Sequence, residues 1–443
     1  MLKTFSKGGV HPEEGKYSAN SAIEILPLPK TVSIPISQHI GAPSKAIVAK
    51  GDKVKVGDKI AESAGFVSAN IHSSVSGTVV KVDKVLDSSG YKQTCIIINV
   101  EGDEWNDSID RSTDLKKEIS LTDKEIINKI NESGIVGLGG ATFPSHVKLS
   151  VPDGKKIDVL VLNGVECEPY LTSDHRLMLE KAEEMLVGIQ ILMKALSVNS
   201  ALIGIENNKL DAISHLKGLV KDYPGIEVHT LKVQYPQGGE KQLIKALINR
   251  EVPSGGLPLN VGAVVHNVGT ALAVYEAVQK NKPLFERVVT LTGKSVTKPS
   301  NFMVRIGAPV TNLIEAAGGL PEDTGKVING GPMMGKALNS IEVPVVKGTS
   351  GILIMPVELS ARKKESDCIR CAKCVSVCPQ GLEPYLLNKL AQLERYEKLE
   401  TEGIMDCIEC GSCSYTCPAG LPLLDYMRLG KSKVSQIIRS RKQ

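Results

Sequence analysis

The sequence predicts a multidomain α/β chain in which a small all-β unit, a doubly wound α/β unit, a second β-rich unit and a helical, cysteine-rich unit follow one another. Three observations predict it. Short apolar strands punctuated by glycine fill residues 31–101, the spacing of a compact β unit. Within residues 115–282, continuous apolar runs alternate with helical stretches, which is how a parallel sheet covered by helices reads. Eight of the ten cysteines fall in two matching runs near the end of the chain.

With 443 residues and a formal net charge of +4, the chain has room for about three domains with cores of their own. So slight a charge gives no electrostatic case for nucleic acid. A single tryptophan, Trp105, among few aromatics leaves no stacking platform for single strands. Ser6, Lys7, Gly8 and Gly9 stand where a secretory signal needs an apolar run, so no export is expected. No transmembrane segment is expected either: residues 261–278 are interrupted by His266, Asn267 and Glu276, and residues 351–357 are too few to span a bilayer.

Residues 1–30 mix glycine and proline with polar residues and read as an irregular lead-in, in which His11 is a solvated loop histidine. From 31 to 101 the strands SIPISQHIG, AIVAKGDKVKVGDKIAES, IHSSVSGTVVKV and CIIINV alternate with Gly-Asp turns. Cys95, inside the last of them, reads as a small buried hydrophobe. A charged linker then leads to an amphipathic helix over 120–130, with Leu121, Ile126, Ile127 and Ile130 on one side.

The stretch GIVGLGGATFPSHVKL follows. Gly137, Gly139 and Gly140 leave backbone N–H groups bare for close approach to a phosphate, Lys148 adds a cation and Phe143 a flat ring. A glycine-rich loop alone is equally a plain turn. The run IDVLVLN reads as a buried parallel strand, and it opens into a loop holding Asn163, Glu166, Cys167, Glu168 and Asp174. Open α/β sheets bind ligands at such strand ends; the alternative is an acidic surface loop. Helices over 177–196 and 209–220 and strands over 201–205 and 226–231 continue the alternation. The loop YPQGGEK carries Gly238, Gly239 and Glu240, and His266, Asn267 and Thr270 follow the apolar run VGAVV. Polar residues in three strand-end loops predict one convergent pocket.

Residues 287–335 read as a β-rich unit with a helix over 310–317 and a loop, GGPMMG, that is either a ligand loop or a packing turn. A strand over 351–355 and a helix led by Glu358 and carrying Arg362, Lys363 and Lys364 lead to the cysteines. Cys368, Cys371, Cys374 and Cys378 are spaced C-x2-C-x2-C-x3-C before Pro379, and Cys407, Cys410, Cys413 and Cys417 repeat this before Pro418. In such a run the first three thiolates wrap one [4Fe-4S] cubane and the fourth reaches the other cluster. One cluster therefore takes Cys368, Cys371, Cys374 and Cys417, and the second takes Cys407, Cys410, Cys413 and Cys378. Structural zinc uses paired C-x2-C knuckles instead, and disulfides need an oxidising compartment; thiolate clusters place the chain in a reducing cytoplasm. A helix over 383–400 returns the chain between the runs, and the basic stretch 431–443 reads as a solvated tail.

Several of these stretches resemble known families. GDKVKVGDKIAE with SSVSGTVVKV is similar to the lipoyl or biotinyl barrel-sandwich module, but SAGFVSAN, between them, has no lysine to modify. A docking role is expected instead of a swinging arm. GLGGATFPSHVK resembles the flavin loop of the NADH-oxidising flavoprotein subunit of respiratory complex I, and NGVECEP, YPQGGEKQL and HNVGT are similar to three more of its flavin-site loops, in order. Residues from 287 resemble its SLBB domain. With the barrel-sandwich start and two clusters, nearly the whole chain is similar to the C subunit of the Rnf electron-transport complexes. The resemblance implies a barrel-sandwich β domain (31–101), a Rossmann-like α/β flavin domain (115–282), an SLBB β-rich domain (283–357) and an α-helical two-cluster ferredoxin-like domain (358–430).

It further implies noncovalent FMN, two [4Fe-4S] clusters, NAD(H) as substrate, and a peripheral place on the cytoplasmic face of the cell membrane beside other subunits. Gly137, Gly139, Gly140, Lys148, Asn163, Glu166, Tyr235, Gly238, Glu240, Asn267 and Thr270 would line FMN, Phe143 would stack on the nicotinamide, and Glu168 would face the dinucleotide. Leu138, Val165, Cys167, His146 and Gly239 stand where the complex I pattern has Arg, Asp, Ser, Gly and Glu. Hydride carries two electrons and each cluster takes one, so a flavin stands between them. The implied activity is that of one component of an ion-translocating ferredoxin:NAD oxidoreductase. Two rivals are a soluble flavin-dependent dehydrogenase or hydrogenase NADH module and a cluster-bearing relay that binds no NAD.

Overall fold

The computed structural model describes residues 2–441. Its first unit is two facing sheets. Thr31–Pro35, Lys92–Val100, Gly77–Leu86 and Lys53–Val54 form one in that order, and Lys45–Ala46, Lys59–Glu62 and Ile71–His72 the other. Alternation drives the burial: Val32, Ile34, Ile96 and Ile98 point inward and are fully buried, as is Ile60 from the opposite layer. Each such side chain contributes roughly 1.5–3 kcal/mol by leaving water. Cys95 is buried in this unit, as expected, and burial pushes its thiol up to about 12.

The second unit is a four-stranded, all-parallel sheet in the order Ile226–Leu231, Ala201–Glu206, Val159–Asn163, Ala263–Asn267. Helices Ala182–Leu196 and Val268–Lys280 cover one face and helix Glu240–Ile248 the other. The first two touch closely: a Cβ on Gly188 would lie 1.9 Å from the Ala271 carbonyl oxygen, so that crossing requires glycine. Strand order reverses between Val159–Asn163 and Ala263–Asn267, which makes their carboxyl ends the switch point where such sheets bind ligands.

The third unit is a six-stranded mixed sheet of Ile23–Ile25, Ser300–Arg305, Glu286–Thr292, Gly351–Pro356, Thr324–Asn329 and Lys336–Ala337, with helix Val310–Ala316 on it. The lead-in is therefore not simply irregular. Ile23–Ile25 adds an edge strand to this sheet, and Lys3 and Val10 form bridges with Leu231 and Tyr235 of the second unit. His11 is exposed in its loop.

Several helices depart from the sequence pattern. The stretch 120–130 becomes Asp123–Glu132, because Thr122 and Glu125 close a reciprocal capping box. The single helix over 177–196 is two, Ser173–Glu180 and Ala182–Leu196, broken at Lys181; the break leaves Glu180 free to accept the Ile23 N–H. The helix led by Glu358 ends at Ser360, since the exposed Arg362, Lys363 and Lys364 have no apolar face to bury. The return helix over 383–400 splits into Pro384–Gln392 and Tyr396–Thr401, with Glu394 between them at φ 54°. The basic stretch expected to be a solvated tail continues helix Leu423–Ser440, because Met427 and Val434 are buried in one cluster with Leu387 and Leu399, and Leu423 in another with Cys417 and Ala419. Lys442 and Gln443 lie outside the described residues.

Candidate functional site

Four loops meet at the carboxyl ends of the parallel strands. Asn163 and Asn267 are paired across a central strand and the neighbouring edge strand, and both side chains tie loops together. Asn267 caps helix Val268–Lys280 by accepting the Gly269 N–H (2.8 Å), while its Nδ2 donates to Asp174 Oδ2 (2.6 Å) and the Asn163 carbonyl (3.4 Å). Asn163 Nδ2 donates to the Gly238 carbonyl (2.8 Å) and its Oδ1 accepts the Val165 N–H (3.2 Å). Burial, with the nearby Glu166 carboxylate, pushes Asp174 up to about 7.

The glycine loop is fastened from behind. Gly137 N–H donates to the Phe143 carbonyl (3.0 Å), Leu138 N–H donates to Thr270 Oγ1 (3.0 Å), and Arg287 Nη2 donates to the Leu138 carbonyl (3.2 Å). A Cβ on Gly139 would lie 2.6 Å from Asn267 Nδ2, whereas Gly140 opens onto free space. Phe143 is half-buried on the same turn. Lys148 Nζ bonds Glu240 Oε1 at 2.7 Å and the Val265 carbonyl at 3.0 Å, so these two residues form one ion pair beside the pocket. His266 next to it is held neutral: burial, then the Lys148 charge, pushes it down to about 3.

Two acidic residues are engaged differently from what the resemblance implies. Glu166 accepts from the backbone N–H of Asp174 (2.8 Å) and His175 (3.1 Å) and from Ser173 Oγ (3.2 Å), so its carboxylate caps helix Ser173–Glu180. Glu168 Oε1 accepts the N–H of Met333 (2.6 Å) and Met334 (3.1 Å), and its pKa is raised by burial. The GGPMMG loop is thus a packing turn seated on Glu168. Cys167 Sγ accepts the Gly238 N–H at 3.3 Å, and burial pushes its thiol well above the usual range; it packs and is not poised as a thiolate.

The same loops touch the cysteine unit. Tyr235 is 2% exposed and its hydroxyl donates to the Cys410 carbonyl at 2.8 Å. Tyr235, Met333, Val10 and Cys410 form one buried cluster, with Cys167 and Val377 at its edge. Cys378, from the first run, lies near enough to Cys410 and Cys413 that its charge adds to the burial raising their thiols, Cys413 to about 12. Cys417 likewise acts on Cys374 and packs with it. The fourth cysteine of each run thus approaches the opposite run. Cys407 is half-buried with the second set, and burial pushes it up to about 11; Cys368 and Cys371 are exposed. Among the described residues no three ligands converge on one metal ion, and a cubane asks for none to do so, because its four thiolates belong to a cluster of irons. An all-thiol donor set fits iron–sulfur clusters, and the open glycine turn, bonded to Thr270 in the first turn of helix Val268–Lys280, fits a flavin phosphate ester.

Sequence reasoning did not single out Lys16, Lys209 or Arg287. Each is a lone cation in an unremarkable stretch, and no spacing rule marks a side chain whose partners are backbone carbonyls far away in the chain.

Family models match in the same order. The RnfC barrel sandwich hybrid domain matches residues 3–103, the Nuo51 FMN-binding domain 130–276, the SLBB domain 288–337 and the 4Fe-4S dicluster domain 360–418. The chain is 48% identical over 406 residues to the C subunit of the proton-translocating ferredoxin:NAD(+) oxidoreductase complex of Clostridium ljungdahlii, covering 91% of this chain and 87% of that one. It is 45% identical to the Na(+)-translocating counterpart of Acetobacterium woodii, covering 90% of each. To the C subunit of the ion-translocating oxidoreductase complex of Rhodobacter capsulatus it is 42% identical, over 98% of this chain and 84% of that one. Among solved structures, an NAD+-reducing [NiFe]-hydrogenase in the H2-reduced state shares the fold, with a TM-score of 0.52 at 16% identity. That match covers 72% of this chain and 63% of the hydrogenase chain. The chain belongs to the family of C subunits of the Rnf-type, ion-translocating ferredoxin:NAD(+) oxidoreductase complexes.

Proposed function

We propose that this chain is the NADH, FMN and iron–sulfur subunit of such a complex, exchanging electrons between NAD(H), FMN, two [4Fe-4S] clusters and partner subunits. Among the described residues no helix is long and apolar enough to cross a membrane, which agrees with a peripheral place in a membrane-associated complex, here assigned to the cytoplasmic face. Bound FMN supplies two-electron to one-electron conversion, which no side chain here provides. The chain's own residues do the rest. The loop at Gly137, Gly139 and Gly140, fastened by Thr270, and the Lys148–Glu240 pair form the phosphate side. Asn163, Asn267, Gly238 and the backbone of residues 166–167 form the ring side, with Phe143 at the mouth for the nicotinamide.

The observation that carries the reading is the Tyr235 hydroxyl on the Cys410 carbonyl at 2.8 Å. It joins a flavin-site loop to a cysteine run in a dry, packed cluster, so the set Cys407, Cys410, Cys413 and Cys378 is the one nearer the flavin. The set Cys368, Cys371, Cys374 and Cys417, whose first two thiols are exposed, faces the partner.

One observation favours the relay that binds no NAD: Glu168, the residue carried over to face the dinucleotide, is already engaged by Met333 and Met334. An anaerobic spectrum of the purified protein, with iron, sulfide and released flavin assayed, separates the readings. About eight irons and one FMN per chain, both chromophores bleaching on NADH, support the NADH-oxidising role. A flavin that ignores NADH, or irons without flavin, supports the relay.

A further inference from the structure

The underside of the loop 163–171 holds two buried ammonium groups. Lys16, from the lead-in, donates to the carbonyls of Glu166 (2.9 Å), Glu168 (3.0 Å) and Leu171 (2.7 Å). Lys209, 2% exposed, donates to the Val165 carbonyl at 2.8 Å, with the Glu206 carboxylate 4.0 Å away. Four carbonyls of one loop are thus turned toward two cations.

A trans peptide is planar, with its N–H opposite its C=O. Turning the Val165 and Glu166 carbonyls down onto Lys209 and Lys16 therefore turns the N–H groups of Glu166 and Cys167 up, away from the lysines. Neither N–H has a backbone acceptor among the described residues. Glu166 sits at φ 47°, and a left-handed residue between exposed N–H groups forms the concave nest that binds anionic oxygen. The Asn163 side chain and Gly238 border this loop on the pocket side.

We propose that Lys16 and Lys209 are positioning residues for the flavin: they hold the 165–167 backbone with two N–H groups aimed at the ring, and their charge favours the reduced flavin over the oxidised one. The inference rests on the FMN reading above. Negative charge gained by the flavin on reduction meets aligned N–H dipoles and, one peptide behind them, two cations in a site of low polarity. The facing acidic groups are Glu206, Glu166, Glu168 and Asp174, and burial raises the pKa of Glu168 and Asp174. Glu166 is drawn off to cap its helix, and burial pushes Glu206 up to about 7. Lys16 is itself pushed down to about 8, by burial and then by Lys209; arriving negative charge relieves that repulsion.

The test is a spectroelectrochemical titration of the full-length, cluster-loaded, FMN-bound protein and its Lys16→Met, Lys16→Arg and Lys209→Met variants, with the FMN dissociation constant measured for each. The expected result is a loss of at least tenfold in the preference for reduced over oxidised flavin in both Met variants, about 30 mV lower for a two-electron couple. Lys16→Arg restores most of it. Unchanged potentials in flavin-bearing Met variants overturn the proposal, as does a variant that loses part of its FMN while the retained flavin keeps the wild-type potential, since that marks a purely structural lysine. If Lys16→Met does not fold, Lys209→Met carries the same comparison. Wild-type protein without FMN instead defeats the cofactor reading, and the two failures are thereby told apart.

Discussion

Replacing Tyr235 with Phe removes one oxygen from the joint between the flavin loops and the second cysteine run. The ring stays, so packing against Val10, Met333 and Cys410 is conserved. The hydroxyl's bond to the Cys410 carbonyl (2.8 Å) is lost, in a site where Tyr235 is 2% exposed and water cannot replace it. Leaving a buried carbonyl unsatisfied costs about 1–3 kcal/mol. Every 1.4 kcal/mol is about tenfold in population, so the undocked state of the cluster unit rises by roughly 5- to 150-fold. Two assays read this: denaturant unfolding followed through the cluster absorbance, expected at a lower midpoint, and stopped-flow reduction by NADH, expected to show normal flavin bleaching with slower cluster bleaching. Wild-type midpoint and wild-type cluster bleaching together would refute the view that this contact sets the joint.

Two further perturbations test other parts of the structure. Cys378→Ser is expected to abolish the cluster wrapped by the second run, and Cys417→Ser the one wrapped by the first, each cutting iron from about eight to about four per chain. Electron paramagnetic resonance of the reduced variants checks which signal survives, and loss of the same-run cluster would contradict the crossed ligation. Lys347 is fully buried with its ammonium on the Asn70 and Gly134 carbonyls, and burial pushes it down to about 7. Its folded pKa lies below the unfolded value, so the unfolded chain binds more protons between the two. Its cost is fully present below about pH 7 and is relieved as pH rises toward the unfolded value. Relative to Lys347→Met, wild type is expected to gain about 2 kcal/mol between pH 7 and pH 9, read from denaturant unfolding at both values; a flat difference would show that the site is hydrated.

Much of the architecture was legible because it is written in short-range patterns. Val32, Ile34, Ile96 and Ile98 alternate as a half-buried strand must, and Val159–Asn163 is continuously apolar as a parallel central strand must be. Helix bounds were less legible, since a cap such as Thr122 or a break at Lys181 depends on single side chains and their distant partners. The last helix reads as a tail in the sequence because basic residues outnumber apolar ones after Gly430, while Leu423, Met427 and Val434 adjoin only on a helix surface.

For the site, the sequence by itself determined part of the ligand chemistry: cysteine spacing specifies iron–sulfur clusters and leads to the expectation of crossed ligation, whereas the glycine loops, equally plain turns when taken alone, point to a phosphate-bearing ligand only as an ordered set that resembles flavin-site loops. The first follows from covalent spacing and the second from the order of local motifs, which the chain carries whatever its partners. Only the tertiary structure decided where each charge goes. Glu166 turns to a helix N-terminus, Glu168 to the Met333–Met334 turn, and Lys16 crosses from the lead-in to hold three carbonyls. It also decided which cysteine run stands beside the flavin loops, through Tyr235 and Cys410, 175 residues apart. Such choices are made by burial: a polar group removed from water must take whatever partner the fold places within reach, and reach across the chain is set by packing and has no local pattern.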